Sequence, residues 1–273
     1  MVFGNGEKDN KETAFQKRKA EILKQREERM KRERDFLCVG IYGHPKTCKT
    51  SLALDCKGDA KLFVLDFDNG SERTWRAAYN SDPDIEIYVP YVYDEYKKAL
   101  LMETAEMAET FIRMVDELIE EGENVKFVFD GLDKWIHLCF DIMTAGKKWN
   151  EIRQAPIMWG KRNKEFNDLL DRALALNCDR FFITHLKDKY EGIQNPMPVG
   201  TEPDWHRTTP GKLSQLIEMS KKKVKGGIEY YGEIVNSPNM PKLNGKMYTV
   251  MTVSKDNETM EWSGIPELKE GKL

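Results

Sequence analysis

Four short, largely apolar runs punctuate the chain: FLCVGIY at 36–42, KLFVLDF at 61–67, VKFVFDG at 125–131 and DRFFITHL at 179–186. Such runs, without strict polar alternation, predict strands buried on both faces, as in a parallel sheet. Helical patterns lie between them. KTSLALDC (49–56) has helix character. The stretch 94–122 carries apolar residues at three- and four-residue steps and stops at Gly122, and NKEFNDLLDRALALN (163–177) is a further amphipathic helix. Strands alternating with helices predict an α/β fold, a mainly parallel sheet flanked by helices.

Two regions depart from this rhythm. GIEYYGEIV (227–235) and the stretch 245–264 alternate in polarity, with turn signals at Asn244-Gly245 and around Asp256-Asn257. They predict antiparallel strands, a C-terminal β extension (226–273) of the same domain as the core (36–225). Residues 1–35 mix both charge signs, with Phe15, Ile22, Leu23 and Met30 as the large apolar residues of the stretch 11–35. That stripe is too thin to bury, so the segment reads as a charged helical arm, either solvated or docking on a neighbouring subunit or nucleic acid.

Composition changes this picture little. With 273 residues, 40% hydrophobic and 33% charged, the chain can hold one sizeable core. A net charge of -3 demands neither a nucleic-acid nor a membrane partner, so any basic surface must be local. No apolar run approaches the ~18 residues of a membrane span. The five cysteines show no short paired spacing. Disulfides and a zinc site are therefore not expected, and a cytoplasmic setting is.

The chemistry concentrates after the first strand, in GHPKTCKT (43–50). Gly43, four residues, then Cys48, Lys49 and Thr50 nearly match a phosphate-binding loop, in the strand–loop–helix setting that it requires. Backbone N–H groups of 44–50 would wrap a polyphosphate, Lys49 would reach its β and γ phosphates, and the Thr50 hydroxyl would ligate Mg2+. The expected binding set is Gly43, His44, Pro45, Lys46, Thr47, Cys48, Lys49, Thr50 and Ser51, with ATP and Mg2+ as ligands. Cys48 replaces the second glycine, a change the loop tolerates if the local φ is negative.

Carboxylates at later strand ends complete the set. Asp130 follows a buried strand and would hold Mg2+ through water, with Asp133 as a second acid. Asp66 and Asp68 are placed on one side of the second strand end, where one could polarise water; Glu72 is a weaker candidate. Thr184 and His185 would face the γ phosphate, with Lys187 and Lys189 following.

Through GHPKTCKT, FVLDFDNGS, VKFVFDGLD and FFITHL, in that order, the chain resembles the RecA-like ATPases. Within them it is most similar to phage-type nucleotide-binding and single-strand annealing proteins. The resemblance frames residues 36–190. It implies a RecA-like P-loop NTPase core, ATP hydrolysis, a homo-oligomeric ring or filament, and work on single-stranded DNA in recombination, annealing or replication. Asp68 stands where that family carries a catalytic glutamate, so the implied catalytic set is Lys49, Asp68, Asp130 and His185. The family's DNA-binding loops correspond to 145–164, with Lys147, Lys148, Arg153, Lys161, Arg162, Lys164, Trp149 and Trp159, and to 187–212, with Tyr190, Trp205, His206 and Arg207. KKKVKGG (221–227) adds a basic cluster. Two rivals remain: a non-catalytic nucleotide-gated assembly protein, favoured by Cys48 and by the charged arm, and a small-molecule kinase, whose lid would fall in 147–162.

Overall fold

The computed structural model describes residues 6–31, 35–97, 99–145, 147, 156–191, 197–256 and 259–273. The chain divides into two compact units, Met1–Asp35 and Phe36–Leu273. In the first, α1 (Gly6–Lys31) is one 26-residue helix on which Phe15, Ile22 and Leu23 are exposed. Its Lys, Glu, Arg and Gln content favours helix without supplying a face to bury.

The second unit is built on one sheet. Its strands are β1 (Cys38–Gly43), β2 (Lys61–Asp66), β3 (Ile85–Tyr88), β4 (Val125–Asp130), β5 (Asp179–Glu191), β6 (Met197–Pro203), β7 (Gln215–Val224), β8 (Gly227–Asn236), β9 (Met247–Ser254) and β10 (Met260–Trp262). The order is β10-β9-β8-β7-β1-β5-β4-β2-β3, with β6 paired to β5. From β7 to β3 every neighbouring pair is parallel. β8, β9 and β10 continue the sheet as antiparallel strands.

Successive side chains of a strand point to opposite faces, so the apolar runs supply two cores. Phe63, Leu65, Phe127, Phe129 and Phe182 pack with Phe111 of α4 (Leu101–Glu120), Trp135 of α5 (Leu132–Thr144) and Phe166 of α6 (Pro156–Ala175). Val39, Ile41, Val64, Val128 and Ile183 pack on the other face with Leu52 and Leu54 of α2 (Lys49–Asp55) and Leu268 of α7 (Pro266–Lys269). Each such side chain contributes about 1.5–3 kcal/mol by leaving water. The start of β1 is tied down by buried Asp179, which accepts the Leu37 N–H at 2.9 Å and faces Lys126 at 3.5 Å.

Several expectations are corrected. The helix expected from Asp94 begins at Leu101, because Asp94 turns the chain by accepting the Tyr96 N–H and Tyr93 bridges to Ala99. Asn244-Gly245 belongs to a longer connection, 237–246, between β8 and β9, rather than a two-residue turn. Much of 187–212 is not a loop: it holds the end of β5, which pairs antiparallel with β6. Asn257, and the Lys148–Arg153 part of the first expected DNA loop, including Trp149, fall outside the described residues.

Candidate functional site

The parallel register brings the singled-out positions to one rim. Gly43 at the end of β1 pairs with His185 of β5, and Asp66 at the end of β2 pairs with Asp130 of β4. Carboxyl ends of strands in an open α/β sheet are where ligands bind. A cavity of about 260 Å³ lies there, lined by Lys46 to Ser51 together with Asp68, Thr74, Asp130, His185 and Tyr230.

Gly43 is required by crowding, since a Cβ on it would sit 2.2 Å from the Met219 carbonyl oxygen of β7. Beyond it the chain turns sharply, and the Thr47 hydroxyl closes the turn by donating to His44 O at 2.8 Å. Lys46 and Cys48 are left-handed, with φ of 61° and 63°. Cys48 therefore does not meet the negative-φ condition under which a non-glycine residue is cheap there. The conformation costs a residue with a Cβ about 1–2 kcal/mol. The strain is braced from the C-terminal strands: the Cys48 side chain and Tyr230 of β8 both pack against the same apolar cluster, and Lys221 Nζ of β7 donates to Lys46 O at 3.2 Å. Burial pushes the Cys48 thiol up to about 11, so it stays uncharged near neutrality.

Lys49 is buried, and its Nζ donates to Gly43 O at 3.1 Å and His44 O at 2.9 Å. Burial lowers its pKa, against the opposing pull of Asp130, Asp68 and Asp133. An ammonium held by neutral carbonyls at a cavity wall is a ready partner for an anion. His44 and Pro45 are exposed, and they contribute the turn rather than the cavity wall.

Thr50 Oγ1 donates to Asp130 Oδ2 at 2.7 Å, and Ser71 Oγ, at the start of α3 (Ser71–Ala78), donates to the same oxygen at 3.0 Å. Burial, then the nearby Asp66 charge, raises the Asp130 carboxyl to about 7, with the Thr50 and Ser71 bonds working against them. A hard divalent cation fits this deficit of positive charge, since a hydroxyl and a carboxylate oxygen are the ligand types Mg2+ takes alongside water and phosphate.

The pair Asp66 and Asp68 separates. β2 ends at Asp66, so strand alternation no longer governs Asp68. Asp66 is fully buried, accepts the Ser71 N–H at 2.8 Å, and leaves Oδ1 without a hydrogen bond among the described residues. Asp68 lines the cavity, with Lys134 Nζ 3.7 Å from its Oδ1. Thr184 is also corrected: it is buried and donates to Asp204 O at 2.8 Å, away from the cavity. Glu72 pairs with Arg76 on the surface of α3 and does not line the cavity. His185 lines it, with Nδ1 3.2 Å from Asp133 Oδ2. Burial pushes Asp133 up, but the His185 bond and charge, with Lys134, hold it below the usual carboxylate range. Thr74, Tyr230, Lys134 and Lys221 were not singled out individually, because nothing local in the sequence connects them to the loop.

A second cavity, about 490 Å³, opens beside the β5–β6 hairpin, with Arg162, Lys187, His206 and Arg207 among its lining. It joins residues of the two stretches singled out for DNA. Trp205 borders it but is buried, edge-on to Tyr42 at 5.9 Å, so it serves the core rather than offering a stacking face.

A model of the family described as AAA domain matches residues 35–242, well over half of the sequence. The chain belongs to the AAA domain family. The loop, Lys49, Thr50 and Asp130 thus belong to a nucleotide-binding, ATPase-type domain. Among solved structures, this AAA domain is similar to a KaiC-like protein of the hyperthermophilic archaeon Pyrococcus horikoshii OT3, at 12% identity and a TM-score of 0.43, over 82% of this chain and 88% of that one. No curated protein matches it in sequence. No helix among the described residues is long and apolar enough to cross a membrane.

Proposed function

We propose that this AAA domain binds Mg-ATP, hydrolyses it, and uses the nucleotide state to control a homo-oligomer that acts on single-stranded DNA. The observation that carries the nucleotide half is the bond between Thr50 of the loop and Asp130 of the fourth strand, at 2.7 Å beside a 260 Å³ cavity. Lys49 would hold the phosphates, loop N–H groups from His44 to Ser51 would wrap them, and Thr50 and Asp130 would hold Mg2+ directly or through water. When bound, the ion neutralises charge on the phosphates. Asp68, the acid on the cavity wall with its carboxylate partly exposed, is the candidate to orient water.

The DNA half is supported by Arg162 and Arg207 meeting in one cavity beside His206 and beside Lys187, which pairs with Asp204 at 3.0 Å, a small cationic patch on an acidic protein. It agrees with the resemblance to phage-type and annealing RecA-like proteins. Phosphate release measured with and without single-stranded DNA, for wild type and Lys49→Ala, tests both halves. The reading predicts DNA-stimulated release that Lys49→Ala abolishes; a rate indifferent to that substitution sinks the enzyme. One observation favours a second reading, nucleotide-gated assembly without turnover: the left-handed Cys48, φ 63°, in the loop. Triphosphate-dependent sedimentation with no phosphate released would select it.

A further inference from the structure

Asp133 has no part in wrapping phosphate or in the Thr50–Asp130 pair, yet the fold buries it in the first turn of α5. The helix starts directly behind Gly131, whose φ of 97° and whose approach to Asp68 N (2.9 Å from a would-be Cβ) exclude any side chain. Asp133 Oδ2 lies 3.2 Å from His185 Nδ1 and 3.3 Å from Lys134 Nζ, while Oδ1 is buried with no hydrogen-bond partner among the described residues.

An ionised carboxylate can only accept, so the bonded Nδ1 carries the proton. The partner of one ring nitrogen thereby fixes the state of the other. With hydrogen on Nδ1 alone, Nε2 presents a lone pair, which a phosphate oxygen repels. With Nδ1 donating to Asp133, the ring can also donate from Nε2 only as an imidazolium. The charged groups sharing this rim are Asp133 and Lys134 on α5, Asp66 at the end of β2 and Asp68 after it, Asp130 on β4 and Lys49 on α2.

We propose that Asp133 is a positioning residue that holds His185 as a two-proton donor to the terminal phosphate, so that the cavity selects nucleoside triphosphate over diphosphate. This rests on the nucleotide reading above.

The test is ring-nitrogen NMR of the full chain labelled with ¹⁵N-histidine. The sequence has four histidines, and His185→Gln identifies the signal. The free protein should show hydrogen on Nδ1. A non-hydrolysable ATP analogue with Mg2+ should protonate both nitrogens, and ADP should not. Asp133→Asn keeps shape and an acceptor but drops the charge. It should reduce the ratio of triphosphate to diphosphate affinity about tenfold, with ADP affinity within about twofold of wild type. His185→Gln should lose the same ratio and the double variant no more, since the two act as one unit. A bare Nδ1 in the free wild type overturns the proposal without reference to any variant's folding, as does a wild-type ratio in well-folded Asp133→Asn. Wild type that binds neither nucleotide would instead bring down the nucleotide reading itself.

Discussion

Thr50 and Asp130 are 80 positions apart, yet the hydroxyl of one donates to the carboxylate of the other at 2.7 Å. The bond exists because α2 follows β1 across the short loop 44–48, and β4 ends on the same rim two strands from β1, with β5 between them. Thr50→Val, which keeps the shape and removes the oxygen, should therefore weaken Mg2+-dependent ATP binding by about tenfold or more, with Thr50→Ser close to wild type. Titration calorimetry with and without Mg2+ reads the difference, and equal affinities for Val and Ser would remove Thr50 from the site.

Cys48→Gly relieves a left-handed conformation in a residue with a Cβ. The strain released exceeds the added freedom of the unfolded chain by about 1 kcal/mol, a rise of about 2–4 °C in Tm for a domain of this size. Turnover should be equal or faster. A lower Tm in calorimetry would show that packing of the Cys48 side chain outweighs the strain.

Asp130 gives the nucleotide-free protein an unusual pH profile. Its carboxyl is raised from an ordinary value near 3.8 to about 7 in the fold. Between those values the folded state binds the proton that the unfolded state has released, so stability falls as pH rises through this window. Asp130→Asn removes the buried charge. It should melt at or above wild type at pH 8 without Mg2+, lie near it at pH 4, and fail to hydrolyse ATP. Wild type that gains stability between pH 4 and 7 while Asp130→Asn does not would contradict the assignment.

At the second cavity, Arg207→Ala should lower single-stranded DNA affinity and reduce the slope of log affinity against log salt by about one, the signature of one lost phosphate contact. Trp205→Ala should act differently, costing about 3–5 kcal/mol of stability because the ring is buried. Fluorescence anisotropy across a salt series, alongside melting curves, separates the two. A salt slope untouched by Arg207→Ala would place the DNA elsewhere.

The parallel core was legible because strands covered on both faces must be apolar throughout, as in residues 36–42, 61–67, 125–131 and 179–186. The loop was legible because its chemistry is consecutive in sequence. β3 offered only IEIY, four residues long, and β7 (QLIEMSKKKV) changes from a buried half to an exposed basic half, so neither carried one clear period. α5 escaped notice because it starts with no spacer after β4, at a left-handed glycine. The Asp133–His185 pair spans 52 positions and two elements, and no local pattern announces a contact that only sheet register creates. Asp66 and Asp68 were treated alike because the sequence does not mark where β2 stops.

β1 lies between two parallel neighbours, β5 and β7, and both its faces are covered. Its amides should exchange with solvent only when the whole sheet comes apart. The loop that follows is thus hinged to a strand held on both edges and covered on both faces, so a displacement that a ligand provokes there runs outward, toward α2 and toward Lys221 of β7, rather than back into the sheet.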